Sequence, residues 1–96
     1  MDKEKIKKEL VIKSNNILEK YSENELIESV SVMNMASKTI FLGSLRVYNE
    51  DIVGDVKNEL KNTLKSYGEI SIRDEKIVPC CSANYTHISF NISVDN

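Results

Sequence analysis

The residues best able to do chemistry in this chain are few. His87 is the only histidine, and Cys80 and Cys81 are the only cysteines. They are not part of a Gly-rich phosphate loop or of an H-E-x-x-H, G-x-S-x-G or C-x-x-C motif. His87 alternates outward on a predicted strand, which favours a histidine that faces solvent or a partner over a general base. We therefore expect no catalytic residue and no enzymatic activity.

The metal-ligating residue types do not form a site either. Two thiols and one distant histidine cannot complete the four ligands of a structural zinc site. Adjacent cysteines rarely close a disulfide, because a trans peptide holds their Cα atoms about 3.8 Å apart and bridged pairs usually need about 4.4–6.8 Å. Glu23, Glu25 and Glu28 are interpreted as carboxylates that cap and solvate a helix start. No metal and no cofactor is expected.

Lysines at helical spacing suggest a row of phosphate contacts at first sight. Lys57, Lys61 and Lys65 recur every four residues, but Asp55 and Glu59 lie among them. This pattern is typical of the solvated face of an amphipathic helix. The whole chain has a net charge of −2, from 13 basic and 15 acidic residues. Such a balance excludes a strong field for nucleic acid or anionic lipid.

Length and composition predict one folded domain, residues 1–96. The 96-residue chain is 41% hydrophobic and 29% charged, which is typical of a globular protein with a modest core. Its longest apolar runs have three residues, at 10–12 and 40–42, whereas a membrane-spanning helix needs about 20. The N-terminal segment lacks the apolar stretch of a secretory signal. A soluble, cytoplasmic protein is therefore expected.

Two helices are predicted, over residues 2–20 and about 50–67. In the first, Asn15 and Asn16 are expected to weaken the second half, and Ser22–Glu25 fits a capping box that starts a further short turn. In the second, Asn49 is the predicted N-cap, and Gly68 is expected to take a left-handed conformation after the last turn. Its apolar stripe consists of Val53, Val56, Leu60, Leu64 and Tyr67.

Alternation with a period of two predicts four strands. They begin at Ser29, at Thr39, at Ile70 and near His87, and Asp74–Lys76 is expected to interrupt the third as a turn or bulge. The order is α-β-β-α-β-β. It predicts an α+β fold with a four-stranded, mainly antiparallel sheet and the helices packed on one face. On the last strand, Ile88, Phe90, Ile92 and Val94 serve the core, which leaves His87, Ser89, Asn91 and Ser93 on the opposite face.

One local sequence pattern resembles a known family. Thr39–Leu45, with the sequence TIFLGSL, and a helix ending at Ser66–Ile70 are similar to the first strand and helix of an RNA-recognition motif. The match covers about 32 residues. The resemblance implies a nucleic-acid-binding module, whose binding would be lost on Phe41→Ala or Lys61→Glu. The family's second motif, rich in glycines and aromatics, has no counterpart in Thr86–Phe90.

The order of elements also resembles that of small tail-completion proteins of bacteriophages, which implies a structural role in a virion. Short, motif-free chains rich in lysine and asparagine are common among phage and mobile-element products. The sequence therefore predicts a small non-enzymatic module of the inhibitor or adaptor kind that binds a protein partner or forms a homo-oligomer. The predicted contact residues are His87, Ser89, Asn91 and Ser93. Neither nucleic acid nor a membrane is the expected partner.

Overall fold

The predicted α+β fold is confirmed by a computed structural model that describes residues 3–21, 27 and 30–95. Short 3-10 turns at Glu50–Ile52 and Lys65–Tyr67 extend the second helix at its two ends. The predicted capping box Ser22–Glu25, the three carboxylates at 23, 25 and 28, and Ser29 lie outside the described residues. The elements are α1 (Lys3–Lys20), β1 (Ser31–Asn34), β2 (Lys38–Val47), α2 (Val53–Leu64), β3 (Glu69–Ile77) and β4 (Tyr85–Asp95).

The four strands form one antiparallel sheet in the order β1-β2-β4-β3. β2 and β3 both run antiparallel to β4, so they are parallel to each other, and α2 connects them across the inserted strand. This is the split β-α-β arrangement. If the order of elements is started at β2 and continued from β4 to α1 and β1, it becomes β-α-β-β-α-β. The connection leaves β2 and β4 at the centre of the sheet, where each has a neighbour on both sides.

The core lies between the helices and one face of the sheet. Phe41, Leu45, Ile88, Phe90 and Ile92 point into it from the two central strands and are almost completely buried, while Val94 is half-buried. The predicted stripe of α2 meets them, with three residues fully buried and the outer two partly buried. From α1, the core receives Leu10, Ile17 and Leu18.

A glycine makes room for the largest side chain of β4. Gly43 and Phe90 are directly opposite each other on β2 and β4. A Cβ atom at Gly43 would lie 2.4 Å from Cζ of the Phe90 ring, closer than real atoms approach. The ring therefore covers the glycine backbone on the buried face. This packing explains why a glycine lies among Phe41, Leu45 and Val47.

The ends of α2 agree with the sequence at one terminus and differ at the other. The Asn49 side chain accepts a hydrogen bond from the Asp51 amide at 3.0 Å, so the predicted N-cap is present on the 3-10 turn that leads into α2, while Ile52 at the start of α2 itself makes no side-chain cap. Gly68 has φ 164° and ψ −165°, so the backbone is extended and the predicted left-handed conformation is wrong. Glycine is needed there for another reason, because a Cβ atom would lie 2.3 Å from the Ser93 carbonyl oxygen.

Asn15 in α1 makes a tertiary contact that helix propensity does not predict. The structure shows α1 as one continuous helix over Lys3–Lys20. The Asn15 side chain accepts a hydrogen bond from the Ile27 amide at 2.8 Å and donates one to the Ile27 carbonyl at 3.0 Å. This two-point contact holds the backbone of Ile27 against α1, and the Ile27 side chain is buried in the core.

The third strand differs from its prediction. β3 pairs with β4 from Glu69 to Ile77 in an unbroken register, so the turn predicted at Asp74–Lys76 is wrong. The reason lies on the helix side of the sheet. Asp74 pairs with Lys57 of α2 at 2.5 Å, and Lys76 pairs with Glu50 at 2.5 Å. These charges have partners within the fold, so the strand continues through them.

Candidate binding face of the sheet

The side of the sheet opposite the helices, here called the open face, carries every predicted contact residue. The four residues form one row along β4, and all four are half-buried. Because β4 is central, the row is flanked by outward-pointing residues of both neighbouring strands. The outward residues are Ser31, Met33, Lys38, Ile40, Leu42, Ser44, Arg46, Glu69, Ser71, Arg73, Glu75, Ile77, Tyr85, His87, Ser89, Asn91, Ser93 and Asp95.

One corner of the open face is apolar. Met33 of β1 is directly opposite Ile40 of β2, and Leu42 follows on the same side of β2. Met33 is 49% exposed, and Met35 after the strand is 52% exposed. Ile40 and Leu42 are half-buried. We call the outward residues Met33, Ile40 and Leu42 the apolar corner. It places hydrophobic surface beside the polar row of β4.

The other end of the open face is aromatic and charged. The rings of Tyr48 and Tyr85 lie 5.7 Å apart between centroids with an interplanar angle of 56°, and the Arg46 guanidinium lies 4.9 Å from the centre of the Tyr85 ring. This arrangement combines a tilted aromatic pair with a cation–π contact. His87 is directly opposite Arg46 on one side and Glu75 on the other.

Two shallow depressions lie along the row, with Ser89 at the boundary between them. One has a volume of about 430 Å³ and is lined on the outward side by Ser31, Leu42, Ser44, Ser89 and Asn91. The small side chains at its centre leave the sheet surface low. The other, of about 440 Å³, is lined by Arg73, Asp74, Glu75, His87 and Ser89. The row therefore has two depressions into which side chains of a complementary surface could fit.

Basic residues are segregated between the two sides of the molecule. Both arginines of the chain, Arg46 and Arg73, point outward from the open face. Most lysines lie in the helical segments, with six in α1, two in α2 and one in the following 3-10 turn. Interface cores are enriched in Arg, Met and Tyr and depleted in Lys. The open face has Arg46, Arg73, Met33 and Tyr85 in common with that composition, whereas its five serines and two glutamates depart from it.

The groups whose pKa values are shifted lie on the helix side of the sheet. Lys20 of α1 pairs with Glu59 of α2 at 2.6 Å, and the Lys20 ammonium lowers the pKa of the Glu59 carboxyl. The same contact raises the pKa of Lys20, and hydrogen bonding to Glu59 raises the pKa of Tyr21. Hydrogen bonding to Tyr67 raises the pKa of Lys13. These groups join α1 and the residue after it to α2 and the 3-10 turn that follows α2.

The described residues do not form a metal site or a membrane span. Within residues 3–21, 27 and 30–95, there is no cluster of three His, Cys, Asp or Glu side chains that could hold a metal ion. Neither helix in this part of the chain is long and apolar enough to cross a bilayer.

The segment that resembles an RNA-recognition motif does not expose its aromatic residue. Phe41 is fully buried and packs in the helix-facing core, while its neighbours Ile40 and Leu42 point outward. Its ring is therefore not presented on the open face. The comparisons with protein-family models, curated proteins and solved structures find no match for this chain.

Sequence reasoning found the row on β4 but missed how the open face is assembled. Period-two alternation indicated the direction of each side chain. It did not give the order of the strands, so it could not place Met33 beside Ile40 or Glu75 beside His87. The contact between Tyr48 and Tyr85 joins residues 37 positions apart. No local pattern in the sequence predicts such a pair.

Proposed function

We propose that this chain is a non-enzymatic protein-interaction module that binds a partner protein through the open face. The observation that carries the proposal is the apolar corner, in which exposed Met33 is continuous with Ile40 and Leu42. Hydrophobic side chains there gain from being covered, and a neighbouring row of small polar groups can be covered without burying a charge.

The composition of the open face supports a protein partner. Hot-spot residues at interfaces are often Tyr and Arg, surrounded by contacts that exclude water. Tyr48, Tyr85 and Arg46 form such a cluster at one end, and Tyr48 is 38% exposed. The apolar corner lies at the other end. A partner that spans both ends of the open face would contact β1, β2 and β4. This chain would then serve that partner as an adaptor or an inhibitor.

Nucleic acid is disfavoured by the same surface. Binding to single strands combines a positive groove with exposed aromatic rings. On the open face, Arg46 and Arg73 are offset by Glu69 and Glu75, and Phe41 is buried. We therefore expect binding to single-stranded RNA to be weaker than about 10⁻⁴ M at physiological salt.

The test compares a changed open face with a matched change elsewhere. Ser89→Arg with Asn91→Glu places two bulky charges in the centre of the row. The control, Ser66→Arg with Asn62→Glu, makes the same substitutions at exposed positions of the α2 segment. Each protein is used to capture partners from cells that produce it, and the captured proteins are identified by mass spectrometry. The affinity of a purified candidate is then measured for all three proteins.

The expected result is a partner that is retained by wild type and control but lost by the open-face variant. Both variants should unfold within about 0.5 kcal/mol of wild type, as surface changes usually do. A folded open-face variant that binds its partner like wild type would overturn the proposal. Micromolar, salt-dependent RNA binding by wild type would instead assign the open face to nucleic acid.

A further inference from the structure

The loop between β3 and β4 contains two thiols that converge. Cys80 and Cys81 are both free and exposed, and their Sγ atoms are 3.2 Å apart. Adjacent side chains in an extended segment would point in opposite directions. Here the backbone of residues 80–82 bends, and both thiols lie on the same side within contact distance. The loop therefore presents a vicinal dithiol to solvent.

We propose that Cys80 and Cys81 form a redox-active dithiol that small disulfides oxidise reversibly to an intramolecular disulfide. In the first step, one thiolate attacks the small disulfide, forms a mixed disulfide and releases one small thiol. In the second, the other cysteine attacks the protein sulfur of that mixed disulfide and releases the second small thiol. Two protein S–H bonds are lost, one S–S bond forms, and the small disulfide is reduced to two thiols.

The short separation of the thiols makes the second step fast relative to escape of the mixed disulfide. The sulfurs must approach from 3.2 Å to about 2.05 Å, a movement that rotation of the side chains in an exposed loop can supply. The loop from Val78 to Asn84 carries no charged side chain, so no fixed charge repels an incoming anionic disulfide.

The same geometry makes the product easy to reduce. A trans peptide fixes the two Cα atoms about 3.8 Å apart, below the usual range for bridged cysteines of about 4.4–6.8 Å. A disulfide in that position is strained, and strained or exposed disulfides are the labile ones. The pair is therefore suited to reversible oxidation and unsuited to a structural cross-link, and this inference does not depend on the proposed interaction.

The test is the mass of the intact protein after treatment with excess glutathione disulfide at low protein concentration. Wild type should lose two hydrogen atoms, retain no glutathione and return to its original mass with dithiothreitol. Cys81→Ser lacks the resolving thiol and should retain one glutathione on Cys80. Wild type that accumulates glutathione adducts, stays fully reduced while Cys81→Ser is modified, or forms disulfide-linked dimers would overturn the proposal.

Discussion

The two faces of the sheet are built from the same strands and have opposite relations to solvent. On the covered face, Phe41, Leu45 and Ile88 are almost completely buried beneath the helices. On the open face, the residues between them on the same strands remain half-buried or exposed. The covered face is apolar along the two central strands and ends at the ion-paired Asp74 and Lys76 of β3. The open face changes from an apolar corner through small polar residues to an aromatic and charged end.

The difference shows which constraints act on each face. The covered face must fill space against α1 and α2, so size and shape are fixed at each position. Within the described part of the chain no helix covers the open face, which carries Met33 and both arginines. Folding alone does not require these residues at those positions. Substitutions on the covered face should therefore change stability, and those on the open face should change binding.

The largest expected effect is on the covered face. Leu60 of α2 is fully buried, so Leu60→Ala should lower the free energy of unfolding by about 2–5 kcal/mol. Ile12→Ala in α1 is the matched control, since Ile12 is 59% exposed, and it should change stability far less. Chemical denaturation of both variants measures the difference. Equal midpoints for the two variants would contradict the placement of the helices on the sheet.

Two glycines should respond to alanine in opposite directions. Gly43→Ala brings a Cβ atom within 2.4 Å of the Phe90 ring and should destabilise the fold by about 1–3 kcal/mol through overpacking. Gly54 lies in α2 with open space around it, so Gly54→Ala should stabilise the fold by about 0.5–1 kcal/mol. Thermal unfolding of the two variants shows the sign of each change. Gly43→Ala with wild-type stability would mean that the ring does not cover the glycine.

The Asn15 contact should have a measurable effect of its own. Asn15→Ala leaves the amide and carbonyl of Ile27 without their side-chain partner and should cost about 1–3 kcal/mol. Asn16→Ala, at an exposed position one residue later, should be neutral or slightly stabilising because alanine favours helix. Urea denaturation of the pair isolates the contact. An equal loss in the free energy of unfolding for both variants would show that the contact with Ile27 contributes nothing beyond a change in helix propensity.

The smallest expected effect is a pH dependence of the ion pair between the helices. Hydrogen bonding to Lys20 lowers the pKa of Glu59 below its ordinary value of 4.5. The contribution of Glu59 to stability is therefore present above that value and is lost as the pH falls through the lowered pKa. Glu59→Gln should unfold with a shallower dependence on pH below 4.5 than wild type. Identical acid profiles would show that the pair contributes nothing.

The sequence predicted the parts of the fold that depend on local periodicity. The apolar stripe through Val56, Leu60 and Leu64 predicted a helix over about residues 50–67, which the structure shows as α2 with a 3-10 turn at each end. Period-two alternation predicted the buried residues of β4. Two predictions failed because distant residues decide them. Gly68 is required by the Ser93 carbonyl, and Asp74 lies in an unbroken ladder with β4 while its side chain pairs with Lys57.

The candidate site was less predictable than the core for the same reason. A single strand shows which residues share a face, so the row from His87 to Ser93 could be read from spacing. The apolar corner needs the register between β1 and β2, which follows from tertiary packing. The contact of the β4 row, from His87 to Ser93, with a partner stays a prediction.

The open-face hypothesis is tested most directly by mapping a captured partner on the isotope-labelled chain. Amide chemical shifts are measured by NMR as the purified partner is added at physiological salt. We predict that the largest changes fall on outward residues of the central strands, including Leu42, Ser89 and Asn91, and that the exposed sides of the helices change little. Changes centred on Ile12 of α1 or Lys61 of α2, with the open face unaffected, would contradict the account.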